Sequence, residues 1–537
     1  MREPVHCPNT DPTDCLDPLS EIDTYKGDRE RFIKQFPKNL VSNIALFLVN
    51  VGVGLWLVPL LIHNLGVAAY GLIPLAMSLT HYVALITLAV SGGISRFLTI
   101  DLHQNNLDKA NRTFNTCFWS LIALILVCIP LLMAFTNFVP VLFNVPSEEV
   151  VSSKWLFAGV MGAFLLSTLS SSFGASAFAY NRLDLNNYVQ ILRSLVRLSA
   201  IIVLFFLVSP SLESVAIATL FSACAHLAAD YYFWRKLTPQ LTIDRSFFDS
   251  TRLKDLLSMG GWLVVNHVGS LLFLNIDLIV VNRLFGPGAG GEYASVLQWN
   301  TLLRSMAGIL SGLLAPMYMI SYAKGNIDDL IKMSKMSVKI MGLGLAVPIG
   351  LACGLSKELL NVWIGPEFSK LAPLMVLMLI HLTVNLAVLP LFSINVCCNK
   401  VKVPGVITLL MGLLNLVLAV AIPLVFNTGF YGVAIAGAIV LTFKNALFTP
   451  WYASKILGIK AKTFILEMAF GILATLSVLI ASWSLSEIWQ IESWIRLVLT
   501  GCFIGLVYAP VIWFAVLSKT ERKLLIGMAR KNLYTKP

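Results

Sequence analysis

Six charged side chains stand where an apolar chain should exclude them. Arg193 and Arg197 interrupt QILRSLVRLSAIIVLFFL, Asp230 closes HLAAD, Asp277 lies in NIDLIVV, Arg304 in TLLRSMAGIL and Lys444 in IVLTFKNALF. A charge at the centre of a membrane helix costs about 2.5–3.5 kcal/mol on insertion scales, so each needs a compensating reason. Positions 193 and 197 are four apart and stack on one helix face, where two like charges repel unless they meet an anion. Paired guanidinium forks suit a phosphate-bearing ligand. Two plainer readings stay open: both side chains snorkel to headgroups, or Asp230 neutralises one of them.

Arg304 and Lys444 each lie about a dozen residues from a helix start, near the bilayer midplane, where snorkelling is strained. A water-filled cavity facing both is the favoured reading. Asp277 is the competing ion-pair partner, although its position predicts a depth nearer the opposite surface. His226 and Asp230 have the i, i+4 spacing of a hydrogen-bonded pair, and with Asp277 they are the candidates for coupling to H+ or Na+. His81 and His267 are titratable too, with a satisfied structural histidine as the plainer alternative. No HEXXH, Cys/His cluster, Walker or dinucleotide fingerprint or nucleophile elbow occurs, so the sequence nominates no metal, no cofactor and no catalytic centre.

The elements that carry these charges are long apolar runs. The chain has 537 residues, 57% hydrophobic and only 12% charged, against about 25% charged in soluble domains. Runs long enough to cross a bilayer lie near 39–62, 70–98, 114–143, 154–178, 188–209 and 214–234, then near 257–282, 293–320, 336–356, 372–398, 404–426 and 431–454, and last near 464–484 and 494–517. The fold class is therefore all-α and polytopic, with about fourteen transmembrane helices. Residues 1–38 read as a polar extension without a cleavable signal, loosely docked or disordered. Residues 39–234 form a first six-helix lobe, 235–256 a connector, 257–455 a second six-helix lobe, 456–517 two further helices and 518–537 a basic tail.

The two halves echo one another. LVNVG at 48–52 precedes NLG and Tyr70, and VVNHVG at 264–269 precedes LFG and Tyr293. Copies with an even number of spans run parallel, related by an axis along the membrane normal. The net charge of +11 signals topology: Lys109, Arg112, Arg182, Arg235 and Lys236 fall in alternate connections, and the basic tail joins them, which puts both termini in the cytoplasm. Most of the nine cysteines sit inside apolar runs and read as small buried residues.

The opening segment carries an LG-x3-YGL turn at Leu65, Gly66, Tyr70, Gly71 and Leu72. It is followed by ISRFLTIDLHQNNLDKANRTFN, NRLDLNNY, NIDLIVVNRLFG and GFYGVAIAGAIV. In this order, and over residues 39–517, the sequence resembles the bacterial polysaccharide and O-antigen flippases, an oligosaccharide-lipid flippase family of the multidrug/oligosaccharidyl-lipid/polysaccharide exporter superfamily. The resemblance implies two six-helix lobes around a central cavity, plus two C-terminal helices. It also implies movement of a polyprenyl-pyrophosphate-linked oligosaccharide, for O-antigen, capsule or exopolysaccharide, to the outer leaflet of the bacterial inner membrane by alternating access. A pyrophosphate crossing hydrocarbon needs cations in a wet cavity, and Arg193, Arg197, Arg304 and Lys444 are the ones on offer. Implied partners are the lipid-linked oligosaccharide, membrane lipids, a polymerase and a chain-length regulator, without nucleic acid. The alternative is an ion-coupled multidrug exporter of the same fold, which would need acids lining its cavity.

Overall fold

The computed structural model describes residues 18–522 apart from Gly92, Lys324, Asn399 and Thr520. Every element among the described residues is helical. A helix satisfies its backbone hydrogen bonds internally, which lipid requires of any exposed spanning segment. Thirteen helices are long and apolar enough to cross a membrane. One of them, His267–Gly312, has 46 residues, about 70 Å at 1.5 Å per residue and roughly twice what a bilayer needs. Gly286, at φ 89° and ψ 176°, breaks the helix there, so this stretch is two spans and the total is fourteen. An even number places the first and last spans' outer ends on one membrane face, the terminal face; the opposite one is the far face.

The first helix takes in part of the N-terminal extension. It runs as Pro18–Leu65, continuous into the first span through Pro37, and residues 1–17 lie outside the described chain, as do residues 523–537 of the basic tail. Asn39 fixes it to the lobe: its Nδ2 donates to the Asn181 carbonyl at 3.0 Å and its Oδ1 accepts the Asp184 backbone N–H at 3.0 Å. The connector is also shorter than the charge pattern suggests. The sixth span ends at Leu237, and the seventh begins at Ser250, capped by Asp249, whose Oδ1 accepts from Thr251 and Arg252 backbone N–H groups.

The duplication is visible in the backbone. Gly66 ends the first span at φ 81° and Gly286 ends the seventh at φ 89°, a conformation open to glycine and costly for other residues. Tyr70 and Tyr293 follow in the second and eighth spans, both buried.

At the far face one apolar core joins both lobes, with Leu72, Leu75 and Phe157 of the first beside Val281, Tyr293 and Trp363 of the second. Toward the terminal face it divides into two clusters. One holds Phe114, Phe173 and Trp234, the other Tyr318, Leu391 and Phe464. Three contacts close the far face. A Cβ on Gly291 would lie 2.0 Å from the Val67 carbonyl oxygen, so the second and eighth spans touch backbone to backbone. Asn144, in the connection after the third span, bonds to Asn282. The Trp363 indole N–H donates to the Leu55 carbonyl at 2.7 Å. That carbonyl is free because Pro59, four residues on, has no N–H to give it.

Candidate functional site

The fifth span, Leu183–Leu207, presents Arg193 and Arg197 to a cavity of about 510 Å³ inside the first lobe. Among the described residues neither has a carboxylate partner, and Arg197 Nη1 meets the Met77 sulfur at 4.0 Å. Asp230 does not neutralise them. It takes the hydroxyl of Ser170 at 2.5 Å and sits 3.3 Å from the Nε2 of His226, so the expected histidine–aspartate pair exists, sealed away between the fourth and sixth spans.

The remaining polar lining of this first cavity is made of His81 and hydroxyls, among them Thr87, Ser167 and Ser171. Each of those hydroxyls donates to a carbonyl of its own helix: Thr87 to Ala84, Ser167 to Ala163 and Ser171 to Thr168. Their protons are committed, and what they offer the cavity is lone pairs. The donors available to an anion are therefore the two guanidinium groups and His81.

A second cavity, of about 340 Å³, shares Arg193 and Arg197; its wall is largely apolar, with Val53, Leu57 and Ile73 among its members, and into it project three amides: Asn50 of the first span, Gln190 of the fifth and Gln298 of the eighth. Gln298 is the second lobe's contribution. It fits because position 54 is glycine, where a Cβ would come within 2.4 Å of the Gln298 Nε2.

Arg304 lies in a third cavity, of about 330 Å³ and wholly within the second lobe, together with Asp277, Tyr293, Asn300 and His381. Its Nε donates to Asn300 Oδ1 at 2.6 Å, and Asn300 donates in turn to the Met378 carbonyl at 2.9 Å. The depth mismatch expected between Arg304 and Asp277 is bridged because helical side chains lean toward the N-terminus, here the far face, which carries the guanidinium toward the acid. They form no ion pair. Asp277 instead accepts from the Tyr293 hydroxyl at 3.2 Å and the Asn415 amide at 3.3 Å. The backbone around this cavity is irregular: Asn275 interrupts the seventh span and His381 the tenth. In a membrane such breaks persist where they are buried in protein or line a cavity.

Lys444 stands apart from the three arginines. Its ammonium lies 5.3 Å from the Phe273 ring and 5.0 Å from the Phe392 ring, beside a separate pocket of about 230 Å³. A π-helical turn, Phe443–Phe448, carries it. Aromatic faces compensate a cation without neutralising it. The four cations expected around one cavity are thus distributed: two on the first lobe, one in the second-lobe cavity and one in an aromatic cage.

Several residues of these sites escaped the sequence reading. His381 and Asn385, joined at 2.8 Å, sit in HLTVNLAVLP, where a histidine and an asparagine four apart in an apolar run were the signal. Asn50, Gln190 and Gln298 carry no charge and so raise no alarm by composition. Among the described residues no group of histidines, cysteines and acids is placed to hold a metal ion.

Comparison with known proteins fits this architecture. A solved structure, "Lipid II flippase MurJ, inward closed conformation", superimposes with a TM-score of 0.62 over 88% of this chain and 98% of that one, at 16% identity. An inward-facing multidrug resistance MATE family transporter of the MOP superfamily gives 0.55 over 83% and 99%, at 13% identity. At these identities the likeness is one of fold. The "Uncharacterized membrane protein EpsK" of Bacillus subtilis (strain 168) is 34% identical over 502 residues, covering 93% of this chain and 99% of that protein. The family described as "Polysaccharide biosynthesis protein" matches residues 36–319, which takes in the whole first lobe and both spans joined at Gly286. The chain therefore belongs to the polysaccharide biosynthesis protein family of multi-pass membrane proteins.

Proposed function

We propose that this protein is a flippase that carries a polyprenyl-pyrophosphate-linked oligosaccharide across the bacterial inner (plasma) membrane, with both termini in the cytoplasm. The observation that carries the reading is the pair Arg193 and Arg197, unneutralised and facing cavities inside a membrane protein. Leaving two cations without an acid in hydrocarbon is costly, and a diphosphate is the ligand that repays both. The divided core toward the terminal face provides the entry side, and the joined far face the barrier that must open for release by alternating access. The repeat unit would serve O-antigen, capsule or exopolysaccharide, and a polymerase and chain-length regulator would take the product.

Transport rather than catalysis is the reading, with H+ or Na+ coupling assigned to the second-lobe cavity around Asp277. The Asp230 and His226 pair lines none of the three cavities and is assigned to structure. A drug exporter of the same fold would hold its cationic ligand against acids; here the two cavities that hold Arg193 and Arg197 are lined by no acid, and Asp277 shares its cavity with Arg304.

The test is rescue of surface polymer in cells lacking their own polysaccharide flippase, at matched membrane abundance. Wild type should restore polymer. Arg193→Ala and Arg197→Ala should accumulate the cytoplasmic lipid-linked intermediate, with substrate binding about ten- to a hundredfold weaker. Normal polymer with both arginines removed would reject the reading.

A further inference from the structure

We propose that the amide-bearing cavity between the lobes is a sugar subsite, and that Gln298 is a specificity residue supplied by the second lobe for the sugar next to the diphosphate. This deepens the flippase reading and rests on it.

Three observations lead there. First, this cavity shares Arg193 and Arg197 with the hydroxyl-lined one, so a diphosphate on the arginines has a neighbouring chamber on each side. Second, the chambers differ in what they offer. In the first, hydroxyl protons are committed to helix carbonyls. In the second, the carboxamides of Gln190 and Gln298 make no hydrogen bond among the described residues, and that of Asn50 uses only its Oδ1, which accepts from the Ser194 hydroxyl at 3.1 Å. A carboxamide offers donors and an acceptor together. Phosphate oxygens need donors alone, whereas a sugar hydroxyl or acetamido group gives and takes at once, so free carboxamides beside an anion site match a glycosyl diphosphate better than a bare one.

Third, the chamber is shared between lobes. Asn50, Gln190 and Ser194 belong to the first, and Gln298 reaches in from the eighth span over Gly54. A ligand bonded to both sides would hold the lobes in this arrangement, while a diphosphate bound only by the arginines would touch one. Recognition of the first sugar thereby becomes a contact across the surface that must part.

The experiment uses the full-length protein in lipid nanodiscs and three probes: undecaprenyl diphosphate, and the same lipid carrying one hexose or one N-acetylhexosamine. Wild type should bind at least one glycosylated probe about five- to tenfold more tightly than the bare diphosphate, the increment of one or two hydrogen bonds. Gln298→Ala should erase that increment and keep the affinity for undecaprenyl diphosphate, which also shows that the variant is folded. Gln298→Glu should weaken all three, because it sets a negative charge beside the diphosphate. If wild type binds none of the probes, the underlying flippase reading fails. If it binds all three equally, or Gln298→Ala lowers all alike or none, the sugar subsite is overturned while the flippase reading stands.

Discussion

Asn144 and Asn282 hold each other by backbone and side chain at once: the Asn144 backbone N–H donates to Asn282 Oδ1 at 3.1 Å, and Asn282 Nδ2 donates back to the Asn144 carbonyl at 3.2 Å. The Asn144 amide also reaches the Asn282 carbonyl at 2.9 Å. These residues belong to different lobes and meet at the far face. Cysteines at both positions, in a background cleared of the native ones and bridged by a short thiol-reversible cross-linker, should halt transport. Reduction should restore it. Full transport by cross-linked protein would show that this contact stays closed throughout the cycle.

The coupling role proposed for Asp277 separates from substrate binding. Asp277→Asn preserves an oxygen for the Tyr293 hydroxyl while removing the charge. In reconstituted vesicles an imposed proton or sodium gradient should accelerate wild-type flipping by roughly tenfold, the scale of a typical coupling energy. The variant should exchange substrate without responding to either gradient. A variant as gradient-sensitive as wild type would remove Asp277 from the coupling.

Lys339, buried in the ninth span, is tied to the chain just beyond the fourteenth: its ammonium lies 3.1 Å from Glu521 Oε2 and donates to the Val516 carbonyl at 3.1 Å. Glu521→Gln should strand a buried cation and cost about 3 kcal/mol of stability. Thermal unfolding in detergent would measure it. Lys339→Met combined with Glu521→Gln should recover most of that loss. A single variant as stable as wild type would mean the tether contributes nothing.

The connector supplies a pH test. Backbone N–H groups of Arg252 and Thr251 hold the Asp249 carboxyl below the usual carboxylate range. A depressed folded-state pKa contributes stability that is present above the unfolded value, near 4, and is lost as pH falls through the folded one. Wild type should therefore melt higher than Asp249→Ala at neutral pH, and the two should converge as pH drops below about 4. A gap independent of pH would assign the effect to packing.

How far the sequence was legible follows from what each signal depends on. Span number and pairing were legible because hydrophobic length is a local property, and the halves' likeness because NLG and LFG both mark a glycine at positive φ. The His226–Asp230 pair was legible from spacing on one helix. What spacing could not supply was which cations share a chamber: Lys444 lies at the right depth but turns onto Phe273 and Phe392, rings from the seventh and tenth spans. Nor could it show that one helix runs from Pro18 into the first span, since polar composition alone does not tell a helix from a loose arm. Buried Lys339 passed unnoticed because its partner, Glu521, lies far along the chain.

Pro59 gives the first span an unusual property. Its missing N–H leaves the Leu55 carbonyl to be capped by the Trp363 indole of the other lobe. As long as the lobes are together, the defect is invisible. When they separate, the carbonyl loses this partner, and an acceptor left unmet costs about 1–3 kcal/mol. The proline thus works as a latch spring: its energy is felt only during opening, so the resting shape is favoured by an atom that is not there.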